Sequence, residues 1–372
     1  MTTEPPLLTV HVLGAGKGES IVLRLPDGRW GVVDCYAGSV ADPLTNPTLQ
    51  FLSEQGATEL EFLCLTHPHD DHFRGMSQLL ETFPVRYFWH FNGLSGRDFF
   101  KLVEYLRDEA EGTGLATEVE SAREFGRIFE LVDRKRKNQQ PRLLQKRSGP
   151  ATQLYPVPFD PASRFQIIGL APSGNQVGRY DRGLIRCFTE DGRMRGRLPH
   201  ADHNIVSAAL LVIYGNTRII LGGDVEREGW RDAIQEMGPD YLTANAVKVS
   251  HHGSPNGYCE GLWEHHATGG KPIGVVTTYV SQGLPRRTTL DHIAPYTARM
   301  LVTCMSALKE EQLPAGLDPA TFRSRLALLR KMGWLGEQGR HQCGRCTLVF
   351  DDQGRCTSHE LVPPADQLSA AS

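Results

Sequence analysis

Three histidines and two aspartates lie within one short segment, Thr66-His67-Pro68-His69-Asp70-Asp71-His72. Imidazole and carboxylate ligands together suit zinc, manganese or iron. In an extended chain His67 and His69 point to the same side, and Asp71 and His72 would open a helix and face a second ion. A polar surface loop is the alternative, but clustering so many titratable groups is costly unless a cation pairs them. The segment therefore predicts a metal site.

The elements before this segment are predicted from apolar runs and turn residues. Leu60 to Leu65 has the length and composition of a strand that ends at the motif. Leu7 to Leu13 predicts an earlier strand, followed by a glycine-rich turn at residues 14–18. This turn lacks the Walker and dinucleotide spacings of phosphate-binding loops, so we favour a tight turn beneath the active site. A hairpin over residues 20–34 and a helix over residues 47–55 follow.

The same order of elements recurs downstream. A second hairpin runs from Ser207 to Asp224, a helix covers about Glu228–Met237, and the strand Ala246–Ser250 leads into His251. Hairpin, aspartate, helix, strand and histidine therefore occur twice, which indicates an internal duplication.

The duplication predicts both the fold and further site residues. It pairs His251 with His67 and Asp224 with Asp34. Two such halves, with their sheets face to face and their helices outside, give an α/β fold, the four-layer αββα sandwich. The strand ends then converge on one edge, where the metal ligands would lie.

A helical basic insertion separates the two halves, at residues 93–149. Apolar residues at three- and four-residue spacing predict helices over about Gly96–Glu111 and Glu118–Lys137. Residues 134–147 contain seven basic and no acidic residues, and residues 179–197 contain six arginines against three acids. Because the net charge of the chain is −3, any binding of nucleic acid must be local.

A chain of 372 residues could hold two or three average domains, but single α/β domains of this size occur, and we expect one domain over residues 1–372. Residues 280–372 form a C-terminal extension, with a helix over Pro319–Met332, the N-cap residue Asp318 and a closing hairpin. No apolar run approaches the roughly 18 residues of a membrane span. The first residues lack the features of a signal peptide, and the scattered cysteines do not indicate a disulfide framework. We expect a cytoplasmic protein without membrane contact.

Four residues near the C-terminus have the ligand types of a structural zinc site. They are Cys343, Cys346, Cys356 and His359. Residues three apart on a regular strand face opposite sides of the sheet and cannot converge on one ion. Buried cysteines are therefore the preferred interpretation, with structural zinc as the alternative.

The motif Thr66–His72 matches the HxHxDH motif of the metallo-β-lactamase superfamily. Asn204-x-x-Ser207, Leu221-Gly-Gly-Asp224 and Lys248–Ser254 resemble one branch of it, which includes the soluble hydrolase (nuclease) domain of the competence DNA-uptake channel (ComEC type). The resemblance runs from about Leu7 to Tyr279, apart from the insertion. The membrane channel of the uptake protein is absent from this sequence, so we expect a stand-alone hydrolase.

This resemblance implies two divalent metal ions, zinc or manganese. The implied ligands are His67 and His69 on the first ion, Asp71, His72 and His251 on the second, and Asp224 between them. Many superfamily hydrolases place another histidine on the first ion. That position falls at Asn204 here, with His203 beside it as a substitute. Asp34 is expected to lie behind a ligand and orient it.

Two metal ions suit the hydrolysis of an anionic substrate. They lower the pKa of a bridging water, generate metal-bound hydroxide at neutral pH and stabilise charge on the attacked centre. We therefore expect a phosphodiesterase, most favourably a nuclease, with Asp71 and Asp224 in the catalytic centre. His252 is a candidate to protonate the leaving oxygen, and packing against the loop is its alternative role.

Substrate contacts are expected from residues around the metals. Asn204 and Ser207 offer hydrogen bonds, and Lys248 offers a cation, although structural roles are the alternative for Ser207 and Lys248. Residues 179–197 are predicted to form an arginine-rich loop, which contributes Arg193, Arg195 and Arg197. Arginine binds phosphate bidentately, so the expected partner is nucleic acid or another phosphodiester.

Two other functions stay open. The first is a hydrolase of a smaller phosphoester, or of an ester or lactam ring. No third histidine stands in the glycine-flanked setting usual for glyoxalases and lactonases, which counts against the ring-opening classes. The second is a subunit of a larger complex, such as a bacterial antiphage system, in which the helical insertion binds a protein partner.

Overall fold

The strands within the described residues form two eight-stranded mixed sheets. The computed structural model describes residues 6–91, 116–139, 144–158, 160–185, 203–315, 317–332 and 342–368. The first sheet contains β1 (Leu8–Gly14), β2 (Ser20–Arg24), β3 (Trp30–Val33), β4 (Leu60–Leu65), β5 (Val85–His90), β6 (Leu144–Arg147), β14 (Gly344–Phe350) and β15 (Cys356–Val362). The second contains β7 (Gln153–Tyr155), β8 (Phe165–Gly169), β9 (Leu210–Tyr214), β10 (Thr217–Leu221), β11 (Ala246–Lys248), β12 (Ile273–Val276), β13 (Arg299–Val302) and β16 (Asp366–Gln367).

The two sheets repeat one topology. The pairs β1–β2 and β2–β3 are antiparallel, and β3 to β6 are parallel. Strands β8 to β13 repeat this order and these directions. The predicted hairpins and the repeated order of elements are thus confirmed. Because parallel strands end at the same edge of a sheet, the residues after β3, β4, β10 and β11 are brought to one side of the molecule.

Helices cover the outer faces of both sheets. They are α1 (Pro47–Glu54), α2 (Asp70–Phe73), α3 (Met76–Thr82), α4 (Ala116–Asn138), α5 (Gly174–Ile185), α6 (Arg227–Met237), α7 (Glu260–His266), α8 (Arg287–Ile293) and α9 (Pro319–Lys331). One apolar cluster joins α1, α3 and α4 to the first sheet, and another joins α6 to α9 to the second. A third lies between the sheets. The αββα sandwich predicted from the sequence is confirmed.

Local signals explain several helix ends. Asp318 Oδ2 accepts a hydrogen bond from the Thr321 amide at 2.8 Å, and Pro319 occupies the first helical position of α9. The predicted helix at 118–137 is confirmed as α4, whereas the one predicted at 96–111 lies outside the described residues. No helix in the described part of the chain is long and apolar enough to span a membrane.

The glycine-rich turn after β1 packs tightly against the motif, as predicted. Gly18 has φ of 68°, and a Cβ atom there would lie 2.5 Å from the Asp71 carbonyl oxygen and 2.4 Å from the Tyr36 ring. Only glycine fits this position without displacing its neighbours. The close contact places the turn directly beneath the first residues of α2.

The C-terminal cysteines do not converge. Cys343 packs against the outer cluster of the first sheet, and Cys346 lies in the cluster between the sheets. His359 lies on the exposed strand β15, 3.2 Å from Arg299. The groups of potential metal ligands among the described residues do not include these side chains. The geometry agrees with the preferred interpretation of non-ligating cysteines.

Candidate metal centre

The HxHxDH motif lies where β4 ends and α2 begins. His69 has an extended backbone, with φ of −101° and ψ of 141°, directly before the helix. The rings of His67 and His69 meet edge to face, with centroids 4.7 Å apart. Asp71 and His72 follow in the first turn of α2. This local geometry directs the four side chains to the edge where the parallel strands end.

Three side chains form a first group of metal-binding atoms: His67, His69 and Asp224. The His67 Nε2 atom lies 3.0 Å from His69 Nδ1 and 3.9 Å from Asp224 Oδ2. A single cation between them would contact all three. His251 Nε2 approaches the same oxygen of Asp224, at 3.8 Å, so His251 lies on this side of the carboxylate.

A second group lies on the other side of Asp224. Asp71 Oδ2 is 3.0 Å from His252 Nε2 and 3.4 Å from His72 Nε2. His72 Nε2 lies 3.3 Å from Asp224 Oδ1. These contacts connect Asp71 to His72 and His252, and Asp224 offers one oxygen to each group. The side chains that all lie within ligand distance of one another on this side are Glu19, His72, Asp224 and His252.

The structure places His251 and His252 differently from the sequence prediction. His252, which was expected at the leaving group, joins Asp71 in the second group, and His251 does not. His252 is fully buried, with Nδ1 bonded to Thr277 Oγ1 at 2.8 Å and Nε2 facing Asp71, so it cannot reach a leaving oxygen. Both histidines have φ of 49°, a left-handed backbone that turns the adjacent rings to opposite sides of Asp224.

Ser207 positions the carboxylate that the two groups share. The Asp224 amide donates a hydrogen bond to Ser207 Oγ at 2.9 Å. The same hydroxyl lies 3.4 Å from His67 Nδ1, and Ser207 is buried. The structural role considered for Ser207 therefore fits, and the predicted contact with substrate does not.

The charges of the two groups fit divalent cations. His72 Nε2 and Asp224 Oδ1 are buried and have no hydrogen-bond partner among the described residues. Burial alone would raise the pKa of Asp71 and that of Asp224. The His72 and His252 imidazoles instead hold both pKa values well below the usual range of a carboxyl group. Burial lowers the pKa of His72, but Asp224, Asp71 and Asp34 raise it well above its usual value. The carboxylates therefore need positive charge beside them, and divalent cations would supply it.

Asp34 orients both groups from behind, as expected for its place after β3. Its Oδ2 accepts hydrogen bonds from His72 Nδ1 and from Thr66 Oγ1, each at 2.7 Å. Thr66 Oγ1 also lies 3.0 Å from His67 Nδ1. Since the Thr66 proton is directed to Asp34, the hydroxyl accepts from that nitrogen. With Nδ1 protonated on both histidines, Nε2 is free to bind a metal ion.

Lys248 does not reach the substrate side of the centre. Its side chain is 1% exposed and pairs with Glu19, whose side chain is 0% exposed. The predicted contact with substrate is therefore excluded by burial, and the structural role considered for Lys248 fits. Sequence reasoning misses Glu19, whose only signal is its position directly after the glycine-rich turn.

Asn204 and His203 lie beside the first group. Asn204 Nδ2 is 3.3 Å from His251 Nε2. The His203 ring lies 5.3 Å from the His69 ring, and its Nδ1 is hydrogen-bonded to the Tyr180 hydroxyl at 2.8 Å. Both residues are close enough to line the substrate side of the first group. The preceding arginines, Arg193, Arg195 and Arg197, lie outside the described residues.

A cavity of about 800 Å³ lies along the glycine-rich turn, and none of the histidine and aspartate side chains of the two groups lines it. The glycine-rich turn at 14–18 and Glu19 contribute to its wall. The Glu19 amide donates a hydrogen bond to the Asp71 carbonyl at 3.1 Å, which links the wall to a metal-binding residue. Lys17, at the cavity, is 45% exposed and lies 3.9 Å from Asp70 Oδ2. The cavity thus offers a cation and a concave surface next to the candidate centre.

The first basic stretch does not lie wholly beside the metal centre. The start of α4 is held there, because Ser121 hydrogen-bonds Asp70. Lys135 donates to the Phe83 carbonyl at 3.1 Å, just before β5 begins. At 1.5 Å per helical residue the two ends are about 20 Å apart. The basic end of α4 therefore lies at the opposite edge of the sheet, and residues 134–137 do not lie beside the metal centre.

Comparison with known proteins gives structural neighbours alone. No protein-family model and no curated protein matches the sequence. The chain is similar to a metallo hydrolase from Ignicoccus hospitalis, with 12% identity, 92% of this chain and 99% of that chain covered, and a TM-score of 0.37. It is also similar to Zn(2+)-bound PqqB from Methylobacterium extorquens, with 11% identity, 64% of this chain and 71% of that chain covered, and a TM-score of 0.33. For a metallo-β-lactamase from Cronobacter sakazakii the identity is 12%, 69% of this chain and 89% of that chain are covered, and the TM-score is 0.31. At this level of similarity the site must be interpreted from its own residues.

Proposed function

We propose that the protein is a metal-dependent hydrolase of phosphodiester bonds, most favourably a nuclease. The observation that carries the proposal is the position of Asp224, which directs one oxygen to each of two groups of metal-binding atoms. Two divalent ions held there, zinc or manganese, would supply an activated water and positive charge opposite an anionic substrate.

The surrounding residues support water as the nucleophile. Burial raises the pKa of Cys35 to about 12 and that of Cys64 well above its usual value, so neither thiol is activated. Ser207 is engaged with the Asp224 amide. On the substrate side, Asn204 offers its side-chain amide and Lys17 offers an exposed cation, which suits a phosphate group.

A smaller phosphoester is the second candidate substrate. The cavity of about 800 Å³ lies within the size range of small-molecule sites, and its wall is linked to Asp71 through the Glu19 amide. A compact organic group bound there would place an attached phosphate beside Lys17.

One panel of substrates tests both candidates. Purified protein loaded with zinc or with manganese is assayed on plasmid DNA, single-stranded DNA, RNA and a chromogenic phosphodiester. Asp224→Ala, purified identically, controls for contaminating nucleases. Cleavage of polymers by the parent and not by Asp224→Ala supports the nuclease. Activity on the chromogenic substrate alone supports the small phosphoester. No activity on any substrate with either metal contradicts the proposal.

A further inference from the structure

A buried chain of contacts lies behind His252. Glu19 Oε2 accepts hydrogen bonds from Lys248 and, at 2.9 Å, from Thr277 Oγ1. Thr277 Oγ1 in turn lies 2.8 Å from His252 Nδ1. All four side chains are fully buried or nearly so. The contacts therefore run without interruption from an ion pair to a residue of the second group.

The direction of each proton in this chain is fixed. Glu19 pairs with Lys248, and its Oε2 accepts the Thr277 proton. The Thr277 oxygen must then accept a proton from His252 Nδ1. His252 is consequently held as the tautomer whose Nε2 carries a lone pair, and that atom faces Asp71 Oδ2 at 3.0 Å. This is the form of histidine that binds a metal ion.

Glu19 is better placed to support this group than to join it. It lies within ligand distance of His72, Asp224 and His252. However, its contacts to the histidines are made with their Nδ1 atoms, at 3.9 Å and 3.7 Å. The Nε2 atoms of both rings point to Asp71 instead. Glu19 therefore faces the ligand rings from behind, while its Oε1 is buried without a hydrogen-bond partner among the described residues.

The ion pair also joins the two sheets. Glu19 directly precedes β2 in the first sheet, whereas Lys248 ends β11 and Thr277 follows β12 in the second. A buried ion pair is weak evidence for stability, because desolvation offsets its attraction and apolar residues of similar volume are often equally stable. Holding a ligand from one sheet against the other is a role that apolar residues could not perform.

We propose that Glu19, Lys248 and Thr277 form a positioning relay that fixes the orientation and tautomer of His252 for binding the second metal ion. The inference rests on the metal site of the proposed function and is independent of the substrate. Loss of the relay should therefore weaken the binding of the second ion. The fold and the binding of the first ion should be unchanged.

Replacement of Thr277 tests the relay. Thr277→Val keeps the shape and removes the hydroxyl, and Thr277→Ser restores the hydroxyl. Thr289 is an apt control because it is buried in α8 and its hydroxyl has no hydrogen-bond partner in the described part of the chain. Metal-stripped proteins are titrated with Zn²⁺ by calorimetry, without substrate, and the Tm of each stripped protein is measured.

We expect Thr277→Val to weaken one of two binding events by about 10–100-fold, the usual effect of removing a hydrogen-bond partner of a metal-binding histidine. Thr277→Ser and Thr289→Val should bind both ions as the parent does. The metal-stripped Thr277→Val protein should have the same Tm as the metal-stripped parent. Unchanged zinc affinity of Thr277→Val, or equal weakening of both events, would overturn the relay.

A charge-neutral pair of substitutions tests the ion pair itself. Glu19→Gln alone leaves the Lys248 ammonium buried without a counter-charge, which can unfold the protein. The double variant Glu19→Gln with Lys248→Met avoids this. We expect it to fold and to show the same selective loss as Thr277→Val. A folded double variant that binds both ions with parental affinity would contradict the proposal, whatever the outcome of the substrate panel.

Discussion

Asp34 Oδ2 accepts a hydrogen bond from His72 Nδ1 at 2.7 Å, although the two residues are 38 positions apart. The contact joins the end of β3 to the first turn of α2 and fixes the proton of His72 on the nitrogen that faces away from Asp224. A metal ligand is thus prepared by a carboxylate that does not itself face the metal groups.

Replacement of Asp34 by asparagine should weaken metal binding by about 10–100-fold. Asparagine tolerates the left-handed backbone at this position, where φ is 58°, so the effect is not one of backbone strain. An amide nitrogen facing His72 would donate to Nδ1 and move the imidazole proton to Nε2. Zinc affinity measured by competition with a chelator tests this.

The matched control for Asp34 is Asp133→Asn, on the exposed face of α4. It should bind zinc as the parent does. Equal affinities of the Asp34→Asn protein and this control would show that the contact with His72 does not matter for metal binding.

The protein should contain about two metal ions per chain, one for each group of ligand atoms. The combined replacement of His69 and Asp71 by alanine removes a ligand from each group and should strip both ions. Metal analysis of the purified proteins measures the metal content. His292→Ala is the control, because His292 lies on α8, which packs on the outer face of the second sheet. Full metal content in the double variant would contradict the assignment of His69 and Asp71 as metal ligands.

Single replacements of the two adjacent histidines distinguish their places. His252→Ala should empty the second site, because it removes the imidazole that faces Asp71. His251→Ala should affect the first site, since His251 Nε2 approaches Asp224 Oδ2. Anomalous scattering from crystals of each variant grown with zinc locates the remaining ion. Loss of the same ion in both variants would contradict this separation.

Replacement of Asp224 by alanine should abolish turnover and leave the fold intact. The residue follows β10 at the edge of the sandwich, while the apolar clusters that hold the sheets together do not include it. Activity on the preferred substrate and circular dichroism measure the two properties. A folded and fully active variant would refute the central role of this carboxylate.

The architecture could be predicted because it follows from local patterns. Apolar runs, turn residues and a repeated order of elements place Asp34, His67, Asp224 and His251 after corresponding strands of the two halves. Parallel strands then carry these residues to the same edge, whatever the details of the loops.

The finer details of the site depend on geometry that no local pattern encodes. His251 and His252 are adjacent and chemically identical, and the left-handed backbone of both residues decides which group each joins. Glu19 gains its role from Lys248 and Thr277, which lie in the other half of the chain. A sequence pattern shows neither a backbone angle at one residue nor a contact between distant strands.

The arginine-rich loop is expected to bind the phosphates of a polymeric substrate. The loop leads directly into His203, whose ring lies 5.3 Å from that of His69, so its last arginines begin within a few residues of the metal centre. If they contact phosphates, affinity for nucleic acid should fall with salt, by roughly one logarithmic slope unit per contact. Replacing Arg193, Arg195 and Arg197 by alanine should flatten this slope.

The same triple variant should hydrolyse a small chromogenic phosphodiester at nearly the parental rate, because the metal ions alone would act on a substrate that short. The matched control replaces Arg323, Arg330 and Lys331 by alanine. These residues belong to α9, which packs on the outer face of the second sheet, so the salt slope should stay unchanged. Equal loss of activity on long and short substrates would mean that the loop shapes the metal centre. An unchanged salt slope in the loop variant would mean that its arginines do not touch the polymer.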